Sequence, residues 1–133
     1  VASILLGVLS LPSAAHHSFA IFDLSKVQTV QGTVRAFQWN EPHAWIDLMI
    51  SGASGEQHVV SFQCLGPGVL RRKGWRRSSL KAGESVRVNF FPERFSRPGG
   101  AVRTVTLPDG TVLGSYDFAP LPPGHFQGAG KWQ

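Results

Sequence analysis

Two adjacent histidines, His16 and His17, follow an apolar run that ends in the small residues of "PSAA". Cleavage after Ala15 would make His16 the first residue of the mature chain. An N-terminal histidine offers two metal donors, its α-amine and its imidazole Nδ1. A second imidazole completes a T-shaped set of three nitrogens, a histidine brace. Nitrogen-rich sets of this kind suit Cu(II). The chain has one Cys and one Met, so no sulfur-rich ligand set favours Cu(I). His43 is the natural third donor. Alternation along "HAWIDLMIS" puts it on one face with Trp45, Asp47 and Met49, opposite Ala44, Ile46, Leu48 and Ile50. His17 suits His16 less well, because adjacent residues rarely point the same way; it would bind alone through amine, amide nitrogen and imidazole. Glu41 or Asp47 would supply an axial oxygen or a supporting hydrogen bond. With the bond after Ala15 intact, the brace is lost. His43 would then serve as a turn cap near Asn40, and the two leading histidines as polar residues beside an anchor.

Two other surfaces could bind. An exposed aromatic ring among hydrogen-bonding neighbours stacks on sugars or bases. Trp45 with His43, Asp47, Ser61 and Gln63 makes such a face across the second and third strands. The opposing expectation is that an N-terminal arm covers Trp45 through Phe19 and Phe22. A compact basic cluster, Arg71, Arg72, Lys73, Arg76 and Arg77 with Lys81 nearby, surrounds Trp75. It reads as a solvated basic face or as a surface for anionic lipid headgroups or an acidic protein partner; nucleic acid is the weaker expectation. His58 reads as an edge residue. His125, in a Pro/Gly tail, has no ligand near it in sequence.

The elements that must position these groups are short. The chain has 133 residues, 42% hydrophobic and 16% charged, with 15 Gly and 9 Pro, a composition for one globular domain of strands and turns. Its formal charge of +5 favours anionic partners without choosing among them. Residues 1–15 carry no charge and resemble the apolar and cleavage regions of an export signal. The expected organisation is a signal peptide or retained anchor at 1–15, an arm at 16–26, a barrel at 27–116 and a Pro/Gly-rich arm at 117–133. In "VQTVQGTVRAFQW" the apolar parity switches between Val34 and Phe37, which predicts a β-bulge. Gly32 would permit a close backbone approach. "QHVVSFQC" turns Val60, Phe62 and Cys64 inward, with Cys64 a buried apolar side chain. "GPGVLRRKGW" fits one or two helical turns ended by Gly74, with Trp75 buried beside Leu80. "ESVRVNFF" and "AVRTVTLPDGTVLGS" supply a strand and a hairpin. Three strands, a short helix and more strands is the order of an OB-like Greek-key barrel, all-β, with one short helix between strands three and four.

The series "HHSFAIFD", "GTVRAFQWNEPHAWIDL", "GWRRSSLKAGESVRV" and "TLPDGTVLGS" resembles a family of small exported bacterial proteins of unknown function. The resemblance covers about residues 14–115. Glu41 stands where that pattern usually has Asn, and Glu84 where it has Asp. The resemblance implies export and carries no activity. No nucleophile triad, phosphate-binding loop, CxxC or HExxH is present, so the expectation leans away from an enzyme.

Three functions follow as expectations. The first is an exported, periplasmic binding or accessory protein taking copper through His16 and His43. The second is a non-catalytic subunit of a membrane complex, tethered by its leader. The third is a sugar or oligonucleotide module using Trp45. The chain would be periplasmic or secreted, soluble if the leader is cleaved and membrane-tethered if it is kept.

Overall fold

The computed structural model describes residues 20–124. Residues 1–15, read as a signal peptide or anchor, lie outside the described residues, as do His16, His17, Phe19 and His125. The elements are β1 (Gln28–Gln38), β2 (Trp45–Ser51), β3 (Gln57–Gln63), α1 (Pro67–Arg72), β4 (Ser85–Pro92), a 3-10 turn (Arg94–Ser96), β5 (Gly100–Thr106) and β6 (Val112–Gly114). Strands pair in the order β3-β2-β1-β4-β5-β6. A short parallel contact, Phe62 with Gly100 and Gln63 with Ala101, closes the first five into a barrel. This is the all-β, OB-like Greek-key barrel that the element order predicts, with its one short helix between β3 and β4.

β1 serves both halves of the barrel. Gln28–Thr33 pair with β4, and Thr33–Gln38 pair with β2. The register slips between Val34 and Ala36, so Arg35 is the extra residue of a bulge. That bulge is the parity switch read in the sequence: Val34 faces the core before it, and Phe37 and Trp39 face it after. Gly32 lies where the strand is most crowded. A Cβ there would sit 2.6 Å from the Met49 carbonyl oxygen and 2.8 Å from Leu48 Cγ.

Inside, Ile46, Leu48, Phe62, Val86, Val88, Val102 and Val105 are fully buried. Phe62 and Phe90 meet edge to face, ring centres 4.8 Å apart. One end of the barrel is plugged by Leu70 of α1 with Trp75 and Leu80 behind it. Pro67 opens the helix, where a missing N–H costs nothing, and Gly74 ends it at φ +91°. The Trp75 indole N–H donates to the Gly114 carbonyl at 2.8 Å.

A second, smaller core lies outside β4 and β5. Phe90 faces the barrel core, but Phe91 belongs to this outer cluster, so it needs its own cover. Phe22, Leu24 and Tyr116 supply it. Residues 21–23 run beside the end of β4, with Asp23 N–H donating to Pro92 O and Arg94 N–H to Ile21 O. Phe118 stacks on Phe91 at 5.0 Å, and Leu121 N–H donates to Leu24 O. Residues 117–121, placed in an extended arm by the sequence reading, thus bear on this second core. No helix among the described residues is long and apolar enough to cross a membrane.

Candidate functional site

The outer face of β1, β2 and β3 holds the residues that alternation selected. Trp45 is half-buried at the start of β2, opposite Gln38 on β1 and Gln63 on β3. Two residues on, Asp47 lies opposite Ala36 and Ser61. Its carboxylate is held from both sides: Ser61 Oγ donates to Oδ1 at 2.6 Å and Gln38 Nε2 to Oδ2 at 2.7 Å. Each oxygen keeps lone-pair capacity for a further donor. The face therefore presents a fixed acceptor beside an aromatic ring. Gln38 was not singled out in the sequence; its register opposite Trp45, set by the Arg35 bulge, is what brings it to Asp47.

Phe22 does not cover this face. It is buried among Phe91, Ala101 and Tyr116 on the far side of β4 and β5, because Phe91 points out of the barrel there. The expectation of Phe22 over Trp45 is corrected on that ground; Phe19 lies outside the described residues. Gln63 is also corrected. It is 4% exposed, and its Nε2 donates to the Tyr116 hydroxyl at 3.0 Å. The chain after β6 runs over the end of β3 here: Ser115 Oγ accepts from Leu65 N–H, and the Tyr116 hydroxyl donates to Cys64 O. Gln63 is thus part of a buried seam and not of an open surface. Cys64 is buried in the same seam, which pushes its thiol well up; a hydrogen bond with Ser115 opposes this. Burial likewise raises the Tyr116 hydroxyl, against a hydrogen bond from Gln63.

His43 is half-buried in the β1–β2 connection, and no hydrogen bond or ion pair engages its imidazole among the described residues. It does not act as the turn cap that was its alternative role. His16 and His17 lie outside the described residues, so of the three candidate metal donors only His43 has a described position. Among the described residues no three His, Cys, Asp or Glu side chains gather as a metal set. Glu41 Oε1 accepts from Gly68 N–H at 3.2 Å, in the first turn of α1. A carboxylate there meets the unpaired amides and the positive end of the helix. Gly66 lets the loop approach, since a Cβ at that position would sit 2.6 Å from Pro42 O. His58 is exposed, 3.6 Å from Glu56 Oε1, as an edge residue should be.

The basic cluster divides. Lys73 pairs with Asp117 at 2.8 Å. The Arg71 guanidinium lies over the Trp39 ring, 5.6 Å from its centre. Arg72, Arg76 and Arg77 are exposed, and no carboxylate pairs with them among the described residues. A second basic site, not singled out in the sequence, is the β4–β5 connection with Arg94 and Arg97 around an exposed Phe95. Its signal in the sequence is "PERFSRPGG", an aromatic residue between two arginines and two prolines.

No curated protein and no solved structure matches the chain. A family model does match, over residues 5–102, from the apolar N-terminal run into β5. With that span covering most of the barrel, the chain belongs to a family of unknown function, DUF6152.

Proposed function

We propose that this is an exported, non-catalytic binding module whose ligand surface is the outer face of β1, β2 and β3. The ligand is a sugar chain. One observation carries the reading: Asp47 is fixed by Gln38 and Ser61 beside the half-exposed ring of Trp45. A ring face and a fixed acceptor match the two recognition surfaces of a sugar, its C–H face and its hydroxyls. Asp47 has no ion-pair partner among the described residues, so its charge opposes a polyanionic strand and favours sugar over oligonucleotide. Affinity electrophoresis through gels containing a soluble β-glucan, mannan or xylan tests it. At least one polymer retards the protein, and Trp45→Ala abolishes the retardation while the thermal transition stays cooperative. Free migration through all three, or retardation that survives Trp45→Ala, refutes it.

A second reading rests on the His43 imidazole, which no described residue engages. Cleavage after Ala15 would let His16 and His43 take Cu(II) at the mouth of the β1–β2 connection. The residues fit in donor type; Glu41 Oε1 accepts from Gly68 N–H, and the carboxylate keeps lone-pair capacity for an axial or supporting role. Paramagnetic resonance of the processed chain reads one Cu(II) per molecule, lost in His43→Ala and lost when one residue is added before His16. A processed chain with no Cu(II) signal rejects this reading and leaves the sugar face untouched.

A further inference from the structure

The connection from β4 to β5, residues 93–99, borders a cavity of about 690 Å³. Sites for small organic molecules span about 300–1,000 Å³. Val30, Ile50 and Val60, each half-buried, line it beside Phe62 and Phe90. These are core residues left open where β1 begins, β2 ends and β3 starts. Lys26, Arg94 and Arg97 also line it, with Asp23 and Glu93. Lys26 is paired to Asp23 at 3.3 Å. Among the described residues no carboxylate pairs with Arg94 or Arg97.

Two independent features mark the loop. Phe95 and Ser96 both have left-handed backbones, φ 62° and 56°, a conformation that non-glycine residues adopt at a cost. The Phe95 side chain is 91% exposed. An exposed phenylalanine on a strained backbone adds little packing to its own fold. A contact outside the chain accounts for both features, and the cavity beside it says where that contact lies.

We infer that this cavity binds a single amphiphilic anion, an aliphatic chain bearing one acid group. The chain packs on Val30, Ile50 and Val60, Phe95 lies against it, and the acid meets Arg94 and Arg97. Val30, Ile50 and Val60 are each half-buried in an open groove rimmed by charged residues, which suits one detached chain and not the plane of a bilayer. The site is separate from the Trp45 face and stands without it.

Monomeric decanoate is the probe, with decanol and decyltrimethylammonium as neutral and cationic controls. Calorimetry and methyl-resolved NMR read the binding. Decanoate saturates one site, shifts the Val30, Ile50 and Val60 methyl signals, and binds about three- to tenfold tighter than decanol, as charge contacts with half-buried Arg94 and exposed Arg97 allow. The cation binds weakest. From hexanoate to decanoate the affinity rises about two- to fourfold per methylene. The double variant R94Q/R97Q lowers decanoate to the level of decanol and leaves decanol unchanged. Phe95→Gly relieves the left-handed backbone, so it raises Tm by a few degrees while weakening both ligands. Three results overturn the inference: no saturable decanoate binding, binding indifferent to R94Q/R97Q, or binding to anionic vesicles alone.

Discussion

Cys64 makes the barrel seam sensitive to alkali, and the size of the effect follows from its burial. The side chain is fully buried at the end of β3, under Ser115 and Tyr116. Burial raises its thiol far above the ordinary value of 9.0, so the folded chain keeps the proton well past the pH at which the unfolded chain loses it. A raised folded value means that the stability held below pH 9 is lost as pH rises above it. At pH 10.5 the unfolded thiol, 1.5 units past its midpoint, has gained about 2 kcal/mol by ionising, while the folded thiol has gained nothing. Urea unfolding at pH 8 and pH 10.5 measures this in the native chain and in Cys64→Ala. The variant is weaker at pH 8, because it leaves a small cavity. Its further loss on going to pH 10.5 is smaller than the native chain's by about 2 kcal/mol, about 1 M in midpoint at a slope near 2 kcal/mol/M. Tyr116, also raised chiefly by burial, is present in both chains, so its burial contribution cancels; the smaller part that comes from the charge of Cys64 is lost in the variant. Equal losses in the two chains would mean that Cys64 ionises in the folded seam, and the account of that seam would be wrong.

Two further predictions concern the frame that holds the candidate site. Gly32→Ala pushes a methyl group into the Met49 carbonyl and Leu48, where β1 passes from β4 to β2; thermal unfolding shows a loss of about 2 kcal/mol or more, with amide exchange fastest along β2. Trp75→Phe keeps most of the buried ring but leaves the Gly114 carbonyl without its indole donor; the cost is about 1–3 kcal/mol by thermal unfolding.

Much of the barrel was legible because its signals are local. Strict alternation in β2 placed Ile46 and Leu48 inside and Trp45 and Asp47 outside, and the parity switch in β1 located the Arg35 bulge. What escaped depends on contacts distant in the chain. Parity puts Gln63 on the outer face with Trp45, but only the fold brings Tyr116, 53 residues on, to cover it. Phe22 was assigned to the wrong side for a related reason. A pair of adjacent buried aromatics, Phe90 and Phe91, needs cover on both sides of its strand, and the outer side competes for Phe22. The contact of Glu41 with Gly68 at the start of α1, 27 residues on, had no signal in the sequence either. The Arg94–Arg97 connection carried no periodic signal, since its backbone follows turn geometry with left-handed Phe95 and Ser96. The histidine pair depends on a processing event that no local pattern of side chains decides.

The sugar-binding face is the central claim, and the Trp45 indole is its most direct reporter. In a proton–nitrogen NMR titration with the polymer that retards the protein most, cut to short oligomers, the Trp45 indole N–H signal moves to saturation. The buried indoles of Trp39 and Trp75 stay in place. Asp47→Ala, which removes the acceptor held by Gln38 and Ser61, weakens the titration about tenfold with the fold intact. A Trp45 signal that stays fixed at saturating oligomer, or that moves equally in the native chain and Asp47→Ala, contradicts the account.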